Sequence, residues 1–424
     1  MKIFDNTAVA APDILLPREG TDLKKWAVVA CDQYTSQPDY WKRVEDAVAD
    51  APSTLRLILP EVYLETDSEE QIAGRLEDIK NSIDSYLTNG IWADPQEGFV
   101  ILDRKTPVND SRKGLVAAVD LEKYSFEPGN RELIRATEGT VLSRIPPRVK
   151  IRKNARVELP HIMLLINDPE DTVTGAALKR AKDSGRAPVY DTDLLEDSGH
   201  VTGYLIPSES EEADLIISAL DKLRKASPTG MLFAVGDGNH SLASAKAHWE
   251  NVREGLSEEE RLTHPARYAM AEIVNIHDSG LQFEPIHRIV FDASPEDLIS
   301  DIKALAGEEN VKISDSAITE GQVFTIVSEG RGDIFVSVSN PPHSLSVGTV
   351  QMMLDKSGRH VDYIHGEDTV RQLAAGSNTG ILLPDVSKDS FFETIETEGV
   401  FPRKTFSMGE ACEKRFYLEA KRID

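Results

Sequence analysis

Apolar and polar positions along the chain follow two periods. Runs at 99–102, 115–121, 161–167 and 231–235 are continuously apolar or nearly so, the pattern of buried strands. Other stretches repeat their apolar residues every three to four positions, the pattern of helices. The clearest is 68–87, where Ile72, Leu76, Ile79, Ile83 and Leu87 form one stripe. Ser68 with Gln71 predicts a capping box at its start, and Gly90 stops it. The stripe assigns this helix to the core. A strand at 26–30 leads through a polar stretch into a helix from about residue 39. The strands 99–102 and 115–121 are joined by a turn through Asn109 and Asp110. A helix spans 170–182, and a hairpin spans 187–193 and 201–206. Ser208 with Glu211 predicts the next cap, ahead of an apolar face of Leu215, Ile216, Ala219, Leu220 and Leu223. Residues 267–276 and 281–291 read as paired strands around His277–Gly280. Beyond about 292 shorter helix and strand patterns alternate. Interleaved helices and strands predict an α/β (α+β) protein. The expected division is a main domain at 1–291 and a smaller α/β subdomain at 292–424, which returns a basic C-terminal segment to the main domain.

The stretch 231–249, MLFAVGDGNHSLASAKAHW, reads as strand, glycine turn and helix. A turn through Gly236, Asp237, Gly238 and Asn239 exposes the first N–H groups of the helix, where the dipole is positive and anions bind. The glycines allow positive φ or close approach to a ligand. Asp237, Asn239, His240 and Ser241 crowd the mouth of this turn, at a strand's carboxyl end. The same residues also suit a simple capped turn.

Composition narrows the partners. Lys and Arg number 47 against 72 Asp and Glu, a net charge of −25, which disfavours nucleic acid. Two cysteines, Cys31 and Cys412, give neither a disulfide framework nor metal-site spacing, which fits a reducing cytoplasm. No apolar run nears the roughly 18 residues of a membrane span. Lys2 is followed by Asp5 and Asn6 with no secretory apolar core. Within this acidic chain, 131–156 is a basic island. Arg131, Arg135, Arg144, Arg148, Lys150, Arg152, Lys153 and Arg156 face only Glu132 and Glu138. Such an island focuses a small anionic ligand, or else forms a solvated charged face. Pro146 and Pro147 argue against continuous helix there.

Six stretches occur in an order that resembles one bacterial and archaeal family, domain of unknown function 1015. They are CDQYTSQPDYW (31–41), RATEGT (135–140), GDGNHSLASAK (236–246), EPIHRIVF (284–291), VDYIHG (361–366) and FPRKTF (401–406). The glycine turn also resembles, more distantly, the phosphate-binding turn of the ParB/sulfiredoxin superfamily. That superfamily includes CTP-binding partition proteins, sulfiredoxin and ADP-dependent serine kinases. Gly238-Asn239-His240 matches its pattern, but Ser241 stands where arginine is expected, removing a bidentate phosphate ligand.

The resemblance implies a ParB/sulfiredoxin-like phosphate-binding core. It implies phosphate or nucleotide binding and phosphotransfer to a small hydroxylated metabolite, with Mg²⁺ and ADP, ATP or CTP. In that reading Gly236, Gly238, Asn239, Ser241, Arg144, Arg148 and Arg152 hold phosphate. Glu138, Asp237 and His240 do acid–base work or hold Mg²⁺. Asp32, Gln33, Arg135, Thr140, His287, Arg288, His365, Arg403 and Lys404 line the pocket. Two alternatives stand beside it: a non-catalytic nucleotide-binding regulator, and a metal-dependent hydrolase using Asp237, His240 and His287 or His365. Substrate and oligomeric state are not legible in the sequence.

Overall fold

The computed structural model describes the whole chain apart from Pro128, Asn154 and the side chains of Glu65 and Arg144. The chain forms two units. One comprises Met1–Leu281 with Glu410–Asp424, the other Gln282–Gly409.

The first unit is built on a large mixed sheet. Along it run, in order, Tyr190–Asp193, His200–Pro207, Gln96–Lys105, Arg112–Asp120, Tyr268–Asn275, Met163–Ile166, Phe233–Asp237, Ile134–Ala136 and Tyr124–Ser125. The first five are antiparallel neighbours. Then direction alternates: Met163–Ile166 runs parallel to Tyr268–Asn275, and Phe233–Asp237 runs antiparallel to it. Ile134–Ala136 lies parallel to Phe233–Asp237. Both faces of the sheet are covered, so its central strands are apolar throughout rather than alternating. On one face Phe99, Ile101, Leu115, Ala117 and Val119 pack against Ala177, Leu178, Ile216, Leu220, Leu242 and Trp249. These belong to the helices Thr174–Asp183, Glu211–Ala226 and Asn239–Arg253. On the other face Val100, Leu102, Val116 and Ala118 meet Trp26, Val28, Trp41, Val44, Phe416 and Leu418.

Several local expectations are corrected. Within 26–30, the stretch 27–30 is buried but joins no sheet, forming only an isolated antiparallel bridge from Val29 to Phe416. A one-turn helix, Leu23–Trp26, precedes it, with Asp22 as cap. Its backbone bonds go to the C-terminal segment instead: Ala30 N–H to Arg415 O at 2.9 Å, and Tyr417 N–H to Val28 O at 2.9 Å. The helix Glu69–Thr88 has its Ser68–Gln71 capping box, yet of its apolar stripe only Ile83 is fully buried. It packs on the rim of the core. Ser210, not Ser208, caps Glu211–Ala226, because the Ser208 hydroxyl is drawn to Glu97 at 2.5 Å. Pro146 and Pro147 lie in the first turn of the helix Ile145–Lys153, where the missing N–H groups have no intrahelical partner anyway. Tyr268–Asn275 and Phe283–Val290 do not pair with each other; they belong to different units. Asp278 diverts the chain between them by accepting N–H groups from Gly280 (2.8 Å) and Lys113 (3.2 Å).

The second unit has an antiparallel sheet in the order Val311–Ser314, Ile334–Val338, Gln322–Val327, Thr379–Leu382, Phe283–Val290 and Val361–His365. The helices Pro295–Ala306 and Ser346–Ser357 bury Leu298, Ile302, Val350 and Met353 against Phe324, Ile326 and Val336.

Candidate functional site

Parallel pairing brings the two most polar motifs together. Val235 lies opposite Ala136, so the loops leaving the carboxyl ends of Ile134–Ala136 and Phe233–Asp237 emerge side by side. The antiparallel strand Met163–Ile166 starts at the same end, with Met163 opposite Asp237, and this delivers His161 there. Carboxyl ends of sheet strands are where α/β folds place ligands.

The turn itself is short. The strand runs through Gly236 to Asp237, and only Gly238 turns, at φ 77° and ψ 28°. This left-handed conformation favours glycine, and a Cβ here would stand 3.0 Å from Ile162 Cα. The helix then begins at Asn239 without any side-chain cap. The Asp237 carboxylate accepts the Gly238 N–H at 2.9 Å and the Lys414 ammonium at 2.9 Å. Burial pushes its pKa up, but Lys414, the Gly238 N–H and His161 outweigh burial and hold it below the usual aspartate value. His240 accepts the Val141 N–H through Nε2 at 3.2 Å, tying the 137–141 loop to the helix start. Thr137 donates to Val235 O at 2.6 Å from the other side. Two buried oxygens at this junction, Asn239 Oδ1 and Thr140 Oγ1, have no hydrogen-bond partner within the protein. Buried polar atoms are normally satisfied, so a pair of orphans marks a place for water or ligand.

A cavity of about 170 Å³ opens beside the first turn of the helix. Its walls are largely aliphatic: Leu57, Ile58, Leu59, Leu159, Ile162 and Met270. Its charged groups are ion-paired, although Arg152 Nε has no hydrogen-bond partner. Arg148 binds Glu61, and Arg152 binds Glu158. Glu158 also takes the Lys421 ammonium at 3.1 Å and the Met270 N–H at 2.8 Å. Burial raises the Glu61 pKa despite Arg148. At Glu158 burial is overcome by Arg152 and Lys421, and the pKa is lowered. His161 Nε2 lies 2.7 Å from Ser241 Oγ, and its Nδ1 lies 2.7 Å from the Tyr417 hydroxyl. Tyr417 accepts the Cys31 N–H at 3.2 Å. Burial pushes the Cys31 thiol up to about 12, so it stays protonated and inert.

The remaining expected site residues are distributed as follows. Glu138 is half-buried on the loop that carries Thr140. Arg135 is buried and braces its own loop, donating to Glu132 O at 2.9 Å and Thr229 Oγ1 at 2.8 Å. The Arg144 side chain lies outside the described residues. Asp32 accepts from the Gln33 amide at 3.0 Å, and Gln33 O accepts from Trp41 Nε1 at 3.2 Å. Tyr34, at φ 54°, stacks on Tyr40 with ring centres 3.6 Å apart. These contacts give the 31–41 motif a structural role in shaping its loop. His287, Arg288, His365, Arg403 and Lys404 all belong to the second unit. There His287 Nδ1 accepts the Leu383 N–H at 3.1 Å, and burial lowers its pKa. The buried Arg288 donates to Ile286 O at 2.6 Å and lies 4.5 Å from the Tyr363 ring centre. Arg403 and Lys404 are exposed. Among the described residues, no three His, Cys, Asp or Glu side chains converge as a metal-ligand group, and no helix is long and apolar enough to cross a membrane.

Glu61, Glu158, His161, Lys414 and Tyr417 are prominent in this geometry but carry no local motif signal. A histidine just ahead of the apolar run at 162–166 is the one hint the sequence offers.

A family profile described as "Protein of unknown function (DUF1015)" matches residues 15–359. The chain therefore belongs to that family. No curated protein matches it. Among solved structures, the chain is similar to C-terminally truncated SbnI from Staphylococcus aureus, with 10% identity and a TM-score of 0.38 over 69% of this chain and 82% of that one. It is similar to a free serine kinase in complex with AMP, with 11% identity and a TM-score of 0.37 over 73% and 92%. A conserved hypothetical protein from Pyrococcus furiosus matches with 12% identity and a TM-score of 0.35 over 73% and 95%.

Proposed function

We propose that the first unit binds a phosphate-bearing small molecule, a nucleotide, at the junction of the 137–141 loop and the Gly238 turn, and transfers a phosphoryl group to a small hydroxylated metabolite. The observation that carries this reading is the uncapped helix start behind Gly238, flanked by the unpartnered Thr140 hydroxyl, which can donate to a phosphate, and by Asn239 Oδ1, an acceptor suited to a sugar hydroxyl or base N–H of the same ligand. A helix start binds phosphate through backbone N–H groups and its dipole, without a cation. That offsets the serine at 241 where the superfamily pattern has arginine. Arg148 and Arg152 are ion-paired, so an anion reaching them exchanges places with Glu61 or Glu158. Phosphoryl transfer asks mainly for positioning and charge neutralisation. Mg²⁺ accompanying a nucleotide takes most of its ligands from phosphates and water and needs only one or two protein carboxylates. Glu138, on the 137–141 loop, and Asp237, at the end of its strand, are the carboxylates nearest the junction in sequence.

The test is thermal unfolding with ATP, ADP, CTP, GTP, pyrophosphate and phosphate, each with and without Mg²⁺. A ligand at about 100 times its Kd adds about 2.7 kcal/mol to the folded state. The expected result is a raised midpoint with one nucleotide, abolished in Asn239→Ala. Because Asn239 Oδ1 has no partner in the fold, that substitution leaves the ligand-free midpoint close to wild type. A panel that moves nothing removes the nucleotide reading.

A further inference from the structure

Ser241 lies between the turn and the cavity, and its hydroxyl is engaged in a way the phosphate reading does not use. Its Oγ is 2.7 Å from His161 Nε2, and Tyr417 holds the other ring nitrogen of His161 at 2.7 Å. A nucleophile within hydrogen-bond reach of a base, with that base fixed by a third group, is the arrangement of an activated serine. The Tyr417 oxygen already accepts from the Cys31 N–H and keeps a second lone pair. It can therefore also accept an Nδ1–H. That tautomer leaves the Nε2 lone pair facing Ser241. Ser241 stands in the first turn of the helix Asn239–Arg253, where the dipole favours negative charge developing on an attacked carbonyl.

The cavity that Ser241 faces identifies the group attacked. Its walls are mostly aliphatic and each of its two arginines is already ion-paired, Arg148 with Glu61 and Arg152 with Glu158, which leaves Arg152 Nε as the arginine donor without a partner there. Such a space suits an uncharged acyl chain rather than a phosphoryl group. An apolar cavity of about 150 Å³ takes up benzene, so the roughly 170 Å³ here suits a short acyl chain.

We propose that Ser241 is a covalent nucleophile for a short aliphatic acyl group, with His161 as its general base and Tyr417 as a positioning residue. Ser241 Oγ attacks the acyl carbon while its proton passes to His161 Nε2. The carbon–oxygen bond to the leaving group breaks, and the proton on His161 passes to the leaving oxygen or, where that departs as a stable anion, to solvent water, so that His161 is neutral again. Water then attacks the O-acyl serine by the same route, releasing the carboxylic acid and restoring Ser241. The acyl donor is an oxygen ester or an acyl phosphate; in the second case the leaving phosphate departs beside the Gly238 turn.

This proposal goes beyond nucleotide binding and does not rest on it: an ester needs no phosphate site, and the melting panel does not read Ser241 chemistry. The full chain is incubated in parallel with 4-nitrophenyl butyrate and with butyryl phosphate. Nitrophenolate or phosphate release is followed, and acid-quenched samples are mapped by peptide mass spectrometry. The expected result is butyrylation confined to Ser241 with at least one donor. Release falls by at least about 100-fold in Ser241→Ala and in His161→Gln, the size of a general-base contribution. Tyr417→Phe lowers kcat and leaves KM unchanged. Ester turnover alone assigns a neutral donor, whereas turnover of butyryl phosphate alone assigns a donor that uses the turn. Release no faster than buffer with both donors, or an adduct on any other residue, overturns the proposal. Because the adduct is mapped on the wild-type chain, the conclusion does not depend on any variant folding.

Discussion

His248 shows how one buried side chain ties stability to pH. It lies on the helix that carries the turn and is only 7% exposed. Burial, with Arg152 nearby, lowers its pKa from 6.5 to about 4. The folded protein thus holds His248 neutral where the unfolded chain protonates it. Its contribution is intact above pH 6.5 and is lost as pH falls toward 4, at up to about 1.4 kcal/mol per pH unit. The His248→Gln variant is expected to lose about 3 kcal/mol less stability than wild type across that window. Urea unfolding at pH 7.5, 5.5 and 4.0 measures this, and parallel curves for the two proteins refute it. Asp237 follows the opposite logic on the other side of the turn. Burial disfavours its charge, and Lys414 restores it. Replacing Lys414 with Met leaves a half-buried carboxylate without its cation. Losing one charged hydrogen bond of this kind is expected to cost about 1–3 kcal/mol at pH 7. The cost shrinks under acid, once Asp237 is protonated in the variant; an equal cost at pH 3 and pH 7 contradicts the assignment.

At the scale of elements, one conformation at Gly238 decides whether strand and helix join at all. A left-handed turn costs other residues about 1–2 kcal/mol, and Ile162 leaves little room for a Cβ. Gly238→Ala is therefore expected to lower stability by at least about 1–2 kcal/mol and to displace the first turn of the helix. Gly236→Ala, within the strand and without positive φ, is the control that separates turn strain from simple loss of glycine. This junction was legible in the sequence because its signals are local: an apolar run, a glycine, then alanine-rich helix. The capping box at Ser68 was legible for the same reason. What could not be read were pairings fixed by distant chain. Trp26–Ala30 has a strand's composition, but its partners are Arg415 and Tyr417, nearly 400 positions away. His161 and Ser241 meet only because Met163–Ile166 is slotted antiparallel against Phe233–Asp237. The basic island was visible, but not its neutralisation, because Glu61 comes from a different part of the chain and Glu158 from just beyond its edge.

At the scale of the molecule, the two units differ in how their chain is used. The second is one continuous segment, Gln282–Gly409, with its own core around Phe324, Val336 and Met353. The first is closed by a segment that returns after it, Glu410–Asp424. That segment supplies the cations for three acidic side chains: Lys414 for Asp237, Arg415 for Glu272, and Lys421 for Glu158. Glu272 and Arg415 are both buried, at 2.7 Å, and Arg415 also binds the buried Glu419. Removing one partner of a buried ion pair typically costs about 3–5 kcal/mol, because the other charge is stranded. A chain ending at Leu281 leaves Glu272 with only Arg112, 4.0 Å away, in the middle of the sheet, and loses the packing of Phe416 and Leu418 as well. Domains are commonly stable by only about 5–15 kcal/mol, so such a chain is expected not to fold. The fragment Gln282–Gly409 retains every strand and helix of its unit and is expected to unfold cooperatively on its own. Circular dichroism melts of the two fragments decide the matter: a cooperative melt from residues 1–281 alone shows that the returning segment is dispensable. Adding a synthetic 410–424 peptide to that fragment provides the reverse test, since rescue requires Arg415 and is expected to fail with Arg415→Leu in the peptide.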